Sequence, residues 1–259
     1  MRIFDTHAHY DDASYDEDRE EVIEAIRAAG VKHFVNISAD IPSLKGTLGI
    51  LEKYPESYGT LGIHPSEVRD LNEEVMEEIA EETRNYERIV AIGEIGLDYW
   101  DEGPDKEIQA FWFRRQLDLA RELDKPVVIH SRDAVQDTYD ILAEKHAEDM
   151  GGVIHCFSAS AEMAKLYVKK GFFIGIGGVV TFKNAKTLKE VAECVPLENI
   201  VLETDCPYLA PVPFRGKRNH SGNLTFVAEK IAEIKGVTAE EVCETTYENA
   251  LRLYRLKQK

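Results

Sequence analysis

The chain has 259 residues, 44% of them hydrophobic, with 31 basic against 48 acidic side chains and a formal charge of -17. That size allows a substantial core, and that charge excludes capture of duplex nucleic acid by bulk attraction, so an anionic substrate must be held locally. The longest apolar stretch, FFIGIGGVV at 172–180, is too short and too glycine-rich to span a bilayer.

No basic-then-apolar leader follows Met1 and Arg2. Cys156, Cys194, Cys206 and Cys243 stand far apart with no CxxC pair, which points to free thiols in a reducing compartment. A soluble, cytoplasmic protein with no membrane segment, monomeric or weakly oligomeric, is expected.

Strand-like runs recur along the chain: RIFDTHAH (2–9), HFVNIS (33–38), YGTLGIHP (58–65), IVAIGEIG (89–96), PVVIHS (126–131), GVIHCF (152–157), FFIGIGG (172–178) and NIVLETD (199–205). Each precedes a segment with helical periodicity. The first such helix is expected to open on a Ser14/Glu17 capping box, to bury Val22, Ile26 and Ala29, and to stop at Gly30. The last is expected to open on Thr238 and Glu241 and to run through NALRLYRL, where cations suit the end of the helix dipole. Continuous apolar strands separated by helices imply a parallel sheet buried on both faces. Eight such units match an α/β fold of the (β/α)8 TIM-barrel class, read as one domain over 1–259, with an open doubly wound sheet as the rival.

The polar residues fall at the C-terminal ends of these strands. His7 and His9 close the first, His64 the third, Glu94 the fourth, His130 the fifth, His155 the sixth and Asp205 the eighth. In a barrel that face carries the active site. Any one of these histidines alone reads as a hydrogen-bonded core or loop residue. Five histidines and two carboxylates in one small space would be costly without cations, whereas neutral imidazoles and ionised carboxylates are natural ligands of divalent metals. Asp5 shares the face of His7 and His9 one layer deeper, where it would orient an imidazole or fill the core as a bonded carboxylate.

His33 and His146 receive no function: the first opens a strand and the second lies in a polar helix. Cys156 and Cys206 follow His155 and Asp205, so strand alternation turns them toward the helices as small buried residues. After the last strand, ETDCPYLAPVPFRGKRNHSGN combines stiffening prolines with Arg215, Lys217 and Arg218, a cationic cluster suited to phosphate, or equally a surface loop bridged to nearby acids. Arg132, just past His130, would add a further phosphate contact.

FDTHAHYDD, GIHPSEV, GEIGLDYW, VVIHSRDA, GVIHCFS and ETDCPYLAP followed by RGKRN resemble, in order and spacing over nearly the whole chain, the TatD family of metal-dependent deoxyribonucleases. The resemblance implies two divalent ions (Mg, Mn or Zn), one held by His7, His9, Glu94 and Asp205, the other by Glu94, His130 and His155, with Glu94 as the bridge. It implies that His64 contacts the phosphate, that the RGKRN loop seats the backbone, and that DNA is trimmed from its 3′ ends. Two departures fall on the substrate side: His220 and Ser221 stand where members commonly carry Glu-Pro, and Ser66 stands where histidine is frequent.

The mechanism expected on this footing is two-metal phosphodiester hydrolysis, with Asp205, Glu94 and His64 as the catalytic set and Asp205 as general base. The substrate expected is single-stranded DNA or a DNA end. The alternative is an amidohydrolase-like enzyme that opens an amide, lactone or aminoacyl ester in the same cage; it has no need of the cationic loop.

Overall fold

The computed structural model describes residues 1–100 and 103–257. Its eight strands are β1 (Ile3–Ala8), β2 (Val31–Ile37), β3 (Ser57–Leu61), β4 (Ile89–Asp98), β5 (Val127–Arg132), β6 (Gly152–Ile154), β7 (Phe173–Ile176) and β8 (Ile200–Leu202). The α-helices are α1 (Arg19–Ala28), α2 (Ile41–Lys53), α3 (Glu73–Asn85), α4 (Lys106–Glu122), α5 (Val135–Glu144), α6 (Ala161–Lys169), α7 (Lys186–Cys194), α8 (Leu224–Lys235) and α9 (Ala239–Leu253). The strands form one sheet in the order β1 to β8, and strand alternates with helix as a (β/α)8 barrel requires. No α-helix among the described residues is long and apolar enough to cross a membrane.

Contacts gather the chain into two compact units, Met1–Asn36 with Cys156–Lys259, and Ile37–His155. In the first, β1 pairs with β2 in parallel, β7 with β8, and Ala8 bridges Cys206 just past β8. In the second, β4 lies between β3 and β5, and β5 pairs onward with β6. Every residue of β1 and β4 is buried, so both faces of these strands are covered, their polar residues included.

Side-chain caps fix four of the nine α-helix starts among the described residues. Asp40 and Ser43 form a reciprocal capping box on α2, Asn72 Oδ1 accepts from the amides of Glu74 and Val75 on α3, and Thr238 caps α9 through Glu241 N as expected. The expected box at Ser14 and Glu17 does not form. Asp12 instead accepts from Ser14 N and caps a single 3-10 turn at Ala13–Tyr15, so α1 starts later, at Arg19. The buried face of α1 is accordingly Ile23 and Ile26, with Val22 at its margin and Ala29 exposed.

His146 is likewise not helical: it follows α5 in the left-handed region, at φ 47°. Gln258 and Lys259, the last residues of the expected C-terminal helix end, lie outside the described residues.

One backbone position governs how β4 meets β5. At Gly96, φ is +149° and a Cβ would sit 1.9 Å from His130 O, so only glycine lets the two strands pair here. Replacement by alanine should destabilise the protein by about 3 kcal/mol, through overpacking and backbone strain together. Gly49→Ala is the control, since a methyl there meets nothing within 4 Å on the exposed side of α2 and should add about 0.5–1 kcal/mol. Urea denaturation of both variants reads the opposite signs.

Candidate functional site

Two groups of metal-type ligands form, one in each compact unit. In the first, His7 ends β1 with its side chain 1% exposed, and His9 follows just beyond the strand. Their Nε2 atoms approach to 3.2 Å, and Asp205 Oδ1 lies 3.7 Å from His7 Nε2 and 3.4 Å from His9 Nε2. Three donor atoms thus turn inward on one point.

Backbone geometry puts them there. His9 N donates to Cys206 O at 2.8 Å and Asp205 N donates to His7 O at 2.9 Å, which locks the turn after β8 against the end of β1. Asp5, fully buried, is the clamp behind it. Its Oδ1 accepts from His7 N and Thr204 N, and its Oδ2 from the hydroxyls of Thr204 and Ser221. Asp5 therefore holds backbone rather than an imidazole. Burial pushes its carboxyl up to about 6, with the hydroxyl and amide donors opposing.

In the second unit Glu94 is 4% exposed, and three imidazoles face its Oε1. His130 Nδ1 is 2.7 Å away, His155 Nε2 3.7 Å and His64 Nε2 3.8 Å. His64 is steadied by Ser66, whose hydroxyl meets His64 Nδ1 at 2.7 Å, and packs edge-on to the His130 ring. Ser66 is the residue that stands where histidine was noted as frequent.

The other nitrogen of His130, Nε2, meets Asp98 Oδ2 at 2.9 Å. Sequence reasoning missed Asp98, although the period of two along β4 puts Glu94, Gly96 and Asp98 on one face. Burial pulls His130 down, but hydrogen bonds to Asp98 and Glu94 outweigh it and raise the imidazole to about 9. Burial alone prevails at His64, which falls to about 4 against the pull of Glu94.

Both groups suit divalent ions by donor chemistry. His7, His9 and Asp205 offer two imidazole nitrogens and a carboxylate oxygen on one point. His64, Glu94 and His130 offer ligand atoms that all lie within 4.8 Å of one another. Mixed imidazole and carboxylate ligation of this type fits Zn, Mn or similar metals.

Glu203 was also missed. It is 1% exposed and accepts from Cys156 N at 2.6 Å, and a Cβ on Gly175 would meet its carboxylate at 2.2 Å. Glu203, Asp205 and Cys156 line a cavity of about 230 Å³ whose other walls include Phe157, Val179, Leu188 and Leu209. Cys156 therefore does not turn toward the helices as expected. It has φ 44° and follows β6, which ends at Ile154, so strand alternation no longer applies. Cys206 is buried as expected, and all four cysteines are free.

The cationic loop divides in two. Arg218 is paired with Asp18 through both nitrogens, donates to Ser14 O and lies 4.8 Å over the Tyr15 ring. Arg215 and Lys217 are exposed and lie beside Phe182 and Phe214. Asn219 anchors the loop: it is buried, its N–H donates to Pro207 O, its side chain donates to Thr204 O, and its own carbonyl accepts from Tyr15. Arg132 ends β5, exposed, over the Trp100 ring.

Comparison with known proteins agrees with this chemistry. Residues 4–255 match the family model described as TatD related DNase. The uncharacterized metal-dependent hydrolase YabD of Bacillus subtilis is 47% identical over 255 residues, covering 98% of this chain and 99% of that one. The uncharacterized metal-dependent hydrolase YcfH of Escherichia coli is 37% identical over 260 residues, covering 99% and 97%. The crystal structure of YjjV, a TatD homologue from Escherichia coli, superposes with a TM-score of 0.93 at 29% identity, covering 99% of both chains. A lactonase from Listeria monocytogenes shares the fold alone, at 12% identity and a TM-score of 0.70.

The two shifted histidines predict a pH profile for metal-free protein. His130, raised from the ordinary 6.5 to about 9, contributes stability below 6.5 that is lost as the pH climbs through 9. His64, lowered to about 4, works the other way, and its cost appears as the pH falls from 6.5 toward 4. Thermal melts of chelator-treated protein should therefore fall off on both sides. In Asp98→Asn the alkaline limb should flatten while the acid limb persists.

Proposed function

This chain belongs to the TatD family of metal-dependent hydrolases, and we propose that it cleaves phosphodiester bonds of DNA, trimming single-stranded ends from the 3′ side with a pair of divalent ions. The carrying observation is the set of imidazoles turned onto Glu94 Oε1, matched in the other unit by His7, His9 and Asp205. In this reading His7, His9 and Asp205 would hold one ion, and Glu94, His130 and His155 would hold the other. Bound there, the ions would lower the pKa of water and offset the charge that builds on the phosphate during displacement.

The remaining work falls to the chain itself. Asp205, only partly buried and set on a turn with φ +57°, accepts the proton of the attacking water. His64, kept neutral near pH 7 by burial, donates a hydrogen bond to the phosphate without adding charge that would compete with the ions. Arg215 and Lys217 supply exposed cations for flanking phosphates, and Arg218, held by Asp18, fixes the loop that presents them. Arg132 supplies a further cation at the end of β5. The cavity beside Asp205 receives the small terminal group of the strand.

The same cage could open an amide or a lactone, but neither substrate would use exposed cations outside it. The test is end-labelled single-stranded oligonucleotide with added Mg or Mn. Removal of a ligand in Glu94→Ala should lower kcat/KM by more than the roughly 10- to 100-fold that follows loss of a residue bonded to a ligand. Asp98→Asn should fall within that smaller range. Equal product ladders from wild type and Glu94→Ala would reject the site.

A further inference from the structure

The motif GEIGLDYW ends in a residue that the hydrolytic chemistry does not use. Trp100 follows β4 and is 63% exposed, the highest value among the exposed large apolar side chains described. An indole so open to water presents a π-face to a ligand. It is not loosely attached. Trp100 N donates to Asp98 Oδ1 at 2.9 Å while Asp98 Oδ2 meets His130 Nε2, so two hydrogen bonds tie the residue to the cluster around Glu94.

Its neighbours give the surface a chemical character. The Arg132 guanidinium lies 4.8 Å from the Trp100 ring centroid, and Lys106 Nζ lies 3.8 Å from that of the adjacent Tyr99. Tyr99 N donates to Arg132 O, which continues the pairing of β4 with β5 into this loop. Two consecutive aromatics, each carrying a cation, stand on a chain whose formal charge is -17. An indole backed by a guanidinium is the recognition chemistry of an unpaired nucleobase with its phosphate, and it is indifferent to base identity.

We propose that Trp100, with Arg132 laid over one side of its ring, offers the other side as the stacking platform for one unpaired base of a single-stranded nucleic acid. The inference rests on the phosphodiesterase reading and deepens it: a stacked base in a duplex has no free face, so the platform selects single strands. Arg132 pins the phosphate of the stacked nucleotide, and Tyr99 with Lys106 continues the path by one step.

Tryptophan fluorescence tests this without depending on turnover. The chain has two tryptophans, so Trp112→Phe leaves Trp100 as the reporter. Rapid mixing with a short oligothymidylate should quench it; an abasic oligomer of equal charge and a blunt duplex should not. In steady state, Trp100→Ala should raise KM for oligothymidylate about tenfold at near-constant kcat, Trp100→Phe should restore most of the loss, and KM for the abasic oligomer should stay unchanged.

Cleavage by wild type without quenching, or an unaltered KM in Trp100→Ala, overturns the platform and leaves the nuclease reading standing. Quenching of Trp112→Phe by oligothymidylate but not by the abasic oligomer, with no cleavage of any oligonucleotide, keeps the platform and sinks the nuclease reading.

Discussion

The structure depends on a carboxylate that has been taken out of water. Glu94 is 4% exposed in the middle of a ten-residue strand buried from end to end, a position where a carboxylate without partners would take up a proton or destabilise the strand. What makes it tolerable is the direction of its neighbours. His130, His64 and His155 come from three other segments of the same compact unit, and each aims a ring nitrogen at one oxygen. The demand reaches into the backbone. Close pairing of β4 with β5 beside His130 leaves no room for a Cβ at residue 96, and the next acid along the face, Asp98, holds the far side of that imidazole.

The other unit solves the same problem by different means. There much of the support for the ligand side chains is main chain. Asp5 gathers the amides of His7 and Thr204 and two hydroxyls, so the end of β1 and the turn after β8 are fixed before any ligand atom is placed. The contrast follows from position. Glu94 and Asp98 lie within a strand, where alternation already aims the side chains, whereas His9 and Asp205 lie beyond strand ends and need their loops pinned.

That difference also decided what could be read from the sequence. The eight strand-helix repeats were legible because fully buried parallel strands are continuous apolar runs, and all eight proposed segments contain a strand. His7, His64, Glu94, His130, His155 and Asp205 were legible as polar residues at the ends of such runs. Errors concentrated where an element stops. The start of α1 moved from Ser14 to Arg19 because Asp12 outcompeted Ser14 as a cap, and alternation misled at Cys156 because β6 ends two residues before it. Asp98 and Glu203 stood inside GEIGLDYW and ETDCPYLAP without being singled out; period-two counting from Glu94 would have found the first, while the second is marked only by its buried contact with Cys156 N.

Electrostatics explains why the cations are few and why they rest on rings. A chain at -17 repels a polyanion at long range, a repulsion screened within about 8 Å at physiological salt. Binding must then come from short-range contacts that survive screening. An arginine in water loses to the surrounding acids: Arg114, Arg115 and Arg218 are each taken up by a carboxylate. Arg132 on Trp100 and Arg215 on Phe182 are laid against aromatic faces, where the ring quadrupole holds the guanidinium without neutralising it. A ring does not itself keep acids away, since Arg218 lies over Tyr15 and is still paired with Asp18. What a ring adds is position without loss of charge: a carboxylate partner cancels charge, whereas a ring leaves it for phosphate, and in an acidic protein that is one way to keep a positive group available at short range.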